Sequence, residues 1–439
     1  MSVSMFNRVF NQGHTLRHEP VNNSSVDAIS TRRGEKPADI VNAFTATPRN
    51  FGEVFDSSTH AAVIKIMMMT FGQSPHDMFE DVKASGDGYD ITMKDEFKVH
   101  VSHEELKRTA QASRFAGNDR AAITDANFVL AAFAKRKQQT GGHGSFETAL
   151  LKSLEGETTQ NCLRGMGMIA FAQYLPSTYM AASGALGIVE THNFGAALVM
   201  DNIQHSYGEK HRVDKSYGYM LFNDQKKPDE SPVTIDPSAR HLSRAPLGVQ
   251  PANIWSGFYQ GVEGNCVTVS AIKAAMMRFG QNPQGIFKNV AATAEGYEVT
   301  MRDSFKLRLT HEELKEAQAA SNLIGSDPAL LADANFLYAV SAKRAQMENN
   351  DNRGNQSYEV AMETLNDGEH PGEAMRRLGL FAYIRESTLQ ELAGGAIGTL
   401  ANSSHSMAVI DGMLDLYGQK LSLALSDWKG SFHWALKLV

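Results

Sequence analysis

Two kinds of hydrophobic pattern alternate along the chain. An apolar run from Val267 to about Phe279 predicts a helix that starts at Cys266 and is stopped by Gly280 and Pro283. Tyr297–Arg302 and Phe305–Thr310 alternate about Asp303–Ser304, which predicts a hairpin. Thr310 is placed to cap the next helix, and Glu313 three residues on completes a capping box. Further helices are expected near 328–347, 357–366 and 371–380. After His405 the run Ser406–Ile410 reads as a strand, and an Asp411–Gly412 turn leads into Met413–Gly418. Helices in front and strands behind make the expected fold class α+β, each copy a helical part plus an antiparallel sheet.

The chain contains this pattern twice. Phe71–Pro75 returns as Phe279–Pro283, His103–Lys107 as His311–Lys315, and Asp125–Phe128 as Asp333–Phe336, each 208 residues on. Ser145–Glu147 matches Ser357–Glu359 at 212, and Tyr207–Lys210 matches Tyr417–Lys420 at 210. A period this long is a duplicated domain rather than a solenoid. The expected layout is a disordered leader over 1–48, a first copy over 49–222, a linker over 223–253 and a second copy over 254–439. The linker is inferred from five prolines among charged and small residues.

Composition narrows the function classes. The chain has 439 residues, 42% hydrophobic and 21% charged, an ordinary globular balance. A net charge of −7 argues against nucleic acid as a partner. The two cysteines, Cys162 and Cys266, cannot build a disulfide framework, which suggests a reducing compartment. No apolar run reaches 18 residues, so no membrane span is expected. The leader is rich in Ser, Asn, Thr and Arg. It reads as a floppy tail or as an export address, and composition does not separate the two.

The candidate chemistry lies in Gln260–Gly261–Val262–Glu263–Gly264–Asn265–Cys266. A thiol at a helix N-terminus meets backbone N–H groups that favour the thiolate, and the amide of Gln260 is a candidate oxyanion donor. His405 and Asp415 follow far downstream. Gln-Gly-x-x-Gly-Asn-Cys resembles the active-site segment of papain-like cysteine proteases, the calpain-like branch above all. The order of Ala334–Gln346, Ser357–Glu359 and Gly372–Gly379 is similar to the calpain helical subdomain. His405 with its strand, then Asp415-Leu-Tyr-Gly, resembles the family's His strand and Asn-Pro-Trp-Gly segment. Asp in the third place is what bacterial papain-fold effectors use. The resemblance covers roughly residues 254–420. Two departures stand out: Val267 replaces the Trp that follows the Cys in calpains, and ten residues is a short His-to-Asp spacing.

The resemblance implies a thiol protease acting on a protein substrate, host-directed and exported by a type III-like route. No cofactor or metal is expected; calpains need calcium, the sequence has no EF-hand loop, and calcium dependence stays open. Cys266 would be the nucleophile, ion-paired with His405 as base, Asp415 the orienter and Gln260 the oxyanion donor. A three-residue hairpin loop would pair Val409 with Asp415 and set Asp415 on the His405 face, whereas a two-residue turn would set it opposite. Asp411 and Asp427 stand in reserve. The same triad runs glutamine deamidation or acyl transfer, and a tandem binding scaffold is the rival from outside enzymology.

In the first copy Gln260, Cys266, His405 and Asp415 align with Gly52, Ser58, Gly195 and His205. All four chemical positions differ while the scaffold repeats, so the first copy is expected to be non-catalytic, docking substrate or regulating. The His-Glu-Glu-Leu starts at His103 and His311 lack the second His of a zinc helix and read as capped helix starts.

Overall fold

The structure, a computed structural model, describes residues 29–439 except 32, 142, 184–185, 192–194, 214–215, 403 and 431–433. It is α+β, and the same architecture occurs twice. Each half carries a small three-stranded sheet and a six-stranded sheet, all antiparallel. In the second half the large sheet runs Ile384–Glu386, Trp434–Leu438, Gly398–Ala401, Ser406–Ile410, Met413–Leu416, Gln419–Ser422. In the first half the order repeats strand for strand, from Ala172–Pro176 through Tyr217–Leu221 and Ala196–Met200 to Glu209–Arg212.

The helix Cys266–Phe279 is the axis of the second half. Every residue from Val267 to Met277 is buried, which is why its wheel is apolar nearly all round. One flank lies on the strand Ser406–Ile410, where Ser270 Oγ and Ser406 Oγ are 2.8 Å apart. The strand's opposite face packs Met407 and Val409 against Leu392, Leu400 and Leu414. Covered on both faces, that strand reads as a continuous apolar run. The capping box at Thr310 and Glu313 is formed, and so is its copy at Ser102 and Glu105. The expected hairpin is there as Gly296–Thr300 and Lys306–Thr310, joined by a third strand, Asn289–Ala292, that sequence reasoning missed.

The domain boundaries move. Residues 1–28 of the expected leader lie outside the described residues. From Ile29 onward the chain is packed: Phe44 has no exposed surface, the Ser30 N–H donates to Asp125 Oδ1 at 2.9 Å, and Thr45 bridges Ala116. The expected linker does the same for the second copy. Ala239 is fully buried, the Ser243 hydroxyl donates to Asp333 Oδ2 at 2.9 Å, and Thr234 bridges Asn289. The repeat therefore begins earlier than the longest matching strings do. Each stretch is largely irregular with one short helical turn, Ile40–Ala43 and Pro237–Ala239, and polar groups in both find partners on the copy that follows.

The halves share one hydrophobic core. Across their boundary Arg164 meets Glu386 at 2.7 Å, and its counterpart Arg376 lies over the Tyr174 ring at 3.8 Å.

Candidate active site

The segment before Cys266 is pinned to the helical part. A Cβ at Gly261 would stand 2.1 Å from Asn322 O, and one at Gly264 2.5 Å from Asn366 O. Only glycine permits these approaches. The buried amide of Asn265 donates to Ser321 O at 2.8 Å and to Asn366 Oδ1 at 3.2 Å. The result is a rigid ledge that presents a half-buried Cys266 as the first residue of its helix.

The thiol and the imidazole belong to adjoining backbone. Cys266 Sγ accepts from the backbone N–H of Ser406, the residue after His405, and from the N–H groups of Val267 and Cys266 itself. His405 is held from behind, its own N–H donating to Asn402 Oδ1 at 2.9 Å. Its half-buried ring stacks on Tyr417, centroids 4.9 Å apart and planes 20° apart. The turn carrying Tyr417 rests on Tyr259, since a Cβ at Gly418 would be 2.8 Å from that ring. Gln260 follows directly. Cys266 is thus tied to the residue after His405, and His405 is linked through Tyr417 and Tyr259 to the segment that carries Gln260.

The resting electrostatics differ from the expected ion pair. Burial pushes the Cys266 thiol up, against the pull of the three backbone N–H groups. Burial also pushes the His405 imidazole down. Both shifts favour the neutral forms, because a half-buried cleft penalises each charge separately. Among the described residues no hydrogen bond joins His405 to Cys266 or to Asp415. The Gln260 amide is occupied too, donating to Glu263 O at 2.5 Å.

Asp415 is placed elsewhere. Val409 pairs with Leu414 and Ile410 with Met413, so the hairpin closes through a two-residue turn, Asp411–Gly412, and not through three. This register turns Asp415 to the helix side of the sheet, away from the His405 face. There its carboxylate meets Lys273 Nζ at 2.8 Å, with both side chains buried. Lys273 also donates to Trp255 O at 2.9 Å. The expectation that Asp415 faces His405 does not hold in this structure.

The first copy preserves the frame and loses the chemistry. Ser58 takes the place of Cys266, and the Ala196 N–H donates to its Oγ at 3.4 Å. Lys65 stands where Lys273 does and donates to Val41 O at 2.9 Å. Its partner position is His205 rather than Asp415, and burial pulls the Lys65 ammonium down to about 8. At Gly195, the position of His405, a Cβ would stand 2.9 Å from Thr191 Oγ1 and 3.1 Å from Ser58 Oγ. Tyr207 does not stack there but donates to Asp56 Oδ1 at 3.0 Å. A side chain at Gly195 would therefore be crowded at its first carbon.

Sequence reasoning missed Lys273 and Tyr417. A signal existed for each: Lys273 recurs as Lys65 at the common spacing, and Tyr417 belongs to the repeated Tyr-Gly turn. No protein-family model, curated protein or solved structure matches the chain.

Proposed function

We propose that the second copy is a papain-like thiol hydrolase that cleaves a protein substrate, with Cys266 as nucleophile and His405 as general base. The observation that supports this reading is the Ser406 N–H on Cys266 Sγ, which ties the thiol to the backbone next to His405. A neutral thiol beside a neutral imidazole is a competent resting state, since the proton moves as the bond forms. Sγ attacks the substrate carbonyl carbon while His405 takes the thiol proton. The oxyanion is held by backbone N–H groups at the helix start, joined by Gln260 once its amide leaves Glu263 O. Collapse of the adduct expels the amine, which takes the proton back from His405, and water then hydrolyses the thioester. Asp415 anchors Lys273 beneath the cleft, and Tyr417 holds the ring. No helix among the described residues is long and apolar enough to cross a membrane. Delivery into a host cell rests on the family resemblance alone.

A second reading, a non-catalytic tandem scaffold, draws on one observation: Asp415 is held by Lys273, and among the described residues no carboxylate is hydrogen-bonded to His405. Mapping of new protein N-termini in a eukaryotic lysate separates the two. The protease reading expects new termini with the wild-type chain and none with Cys266→Ala. Termini that are equal in both samples, or absent from both, favour the scaffold.

A further inference from the structure

Duplication has produced a pair of related cavities where the two copies meet, and they have diverged in charge. One, of about 440 Å³, is walled by Arg136, Lys137, Lys152 and Arg164 of the first copy and closed by Trp434 of the second. Glu157 is the single carboxylate among its lining residues. Its counterpart, of about 610 Å³, presents Glu190, Glu348, Asp351, Asp367, Glu369 and Glu373 against one cation, Arg376. By the repeat, Arg164 corresponds to Arg376, Glu157 to Glu369, and Trp434 to Tyr217. Lys137 corresponds to Ala345 and Lys152 to Thr364. The shared scaffold needs neither lysine, since the second copy folds with Ala and Thr in their places.

The carboxylates that balance the basic cavity stand mostly behind its wall. Asp95 takes Arg136 at 2.6 Å, Glu155 takes Lys152 at 2.8 Å, and Glu386 takes Nε of Arg164 at 2.7 Å. Glu386 is shared, because Arg136 also reaches it at 3.8 Å. Arg164 Nη1 is buried and has no hydrogen-bond partner among the described residues. Burial, with the neighbouring Arg136 adding to it, draws the Arg164 guanidinium below its usual range despite Glu386. A charge under-compensated in this way gains from an anion placed before it. The volume lies in the range of small-molecule sites, planar guanidinium groups match phosphate oxygens, and the indole supplies one apolar wall.

From this geometry we propose that the cavity among Arg136, Lys137, Lys152, Arg164 and Trp434 binds a small molecule bearing phosphate groups, bridging the two copies. The site is independent of the Cys266 chemistry. Glu157, paired with Lys137, is the internal competitor that such a ligand displaces.

The test uses the full chain titrated with sodium pyrophosphate at constant ionic strength, read by thermal unfolding and by tryptophan fluorescence. The expected result is a saturable rise in Tm with a saturable fluorescence change. Lys137→Gln combined with Lys152→Gln weakens binding at least about tenfold, as loss of two charge-assisted contacts requires. Glu157→Gln tightens binding severalfold, an effect of opposite sign that a merely structural role would not produce, and it decides the matter alone if the double variant fails to fold. Absence of saturation overturns the proposal. Equal affinity in wild type and both variants also overturns it, and means an adventitious ion only.

Discussion

The clefts at Cys266 and Ser58 are built on the same frame and differ in what fills it. In both, the first residue of a buried helix takes a backbone N–H from the strand beside it: Ser406 for Cys266, Ala196 for Ser58. In both, a lysine two turns along that helix reaches a main-chain carbonyl at 2.9 Å. The second copy has His405 next to the residue that binds the thiol, and an aromatic ring stacked on its imidazole. The first has Gly195, with Thr191, Ser58 and Asp56 crowding the vacated space. The comparison teaches that the thiol-bearing helix start is a structural device, retained where no chemistry is expected. What distinguishes the proposed enzyme is the pair of side chains laid on top of it.

The largest stability effect should come from the buried pair beneath the second cleft. Asp415→Ala leaves the Lys273 ammonium uncompensated and is expected to cost about 3–5 kcal/mol in chemical denaturation. The rate of acylation per folded molecule should not change. A rate loss comparable to that of His405→Ala would instead make Asp415 the orienter of the imidazole.

A second effect separates the copies by acid stability. His60 of the first copy is buried against Phe133, neither ring nitrogen has a hydrogen-bond partner among the described residues, and burial pushes its pKa down from 6.5 to about 3. Because the folded pKa lies below the unfolded one, the unfolded chain takes the proton first as pH falls. Stability is full above 6.5 and is lost between 6.5 and about 3, at up to about 1.4 kcal/mol per pH unit. His60→Thr, the residue that Thr268 supplies in the second copy, should flatten that slope in denaturation curves taken between pH 7 and pH 4. An unchanged slope would place the acid-sensitive group elsewhere.

Tyr417→Ala should slow acylation by about tenfold by releasing the His405 ring, while Tyr417→Phe keeps the stack and the rate. An equal loss in both variants would point to the phenol rather than the ring. The smallest effect is expected from Ser58→Cys. Without an imidazole at Gly195 the new thiol should add no second acylation event, counted by intact mass.

The capping boxes, the helix stops and the repeat were legible because each is written in local residue types: Thr310 with Glu313, Gly280 with Pro283. The true start of each copy was not. Phe44 and Phe258 occupy matching buried positions 214 residues apart, outside the 208-residue spacing of the longest strings, so comparison by string overlooks them. The candidate site was readable as far as Cys266 and His405. The face of Asp415 is not readable from the sequence, because one residue of loop length inverts a strand's faces, and Asp411–Gly412 is compatible with either length. Lys273 was overlooked because a lysine within an apolar helix announces no partner until the sheet is laid against it.

The central claim is that Cys266 and His405 act together, and an activated ester tests it without knowledge of the substrate. With p-nitrophenyl acetate the wild-type chain should release a burst approaching one nitrophenolate per chain, abolished in Cys266→Ala and slowed roughly 10²–10⁴-fold in His405→Ala. The acid limb of its pH profile should fall below the 6.5 of an ordinary histidine, since burial depresses His405. A burst that survives Cys266→Ala, or one indifferent to His405→Ala, would contradict the account.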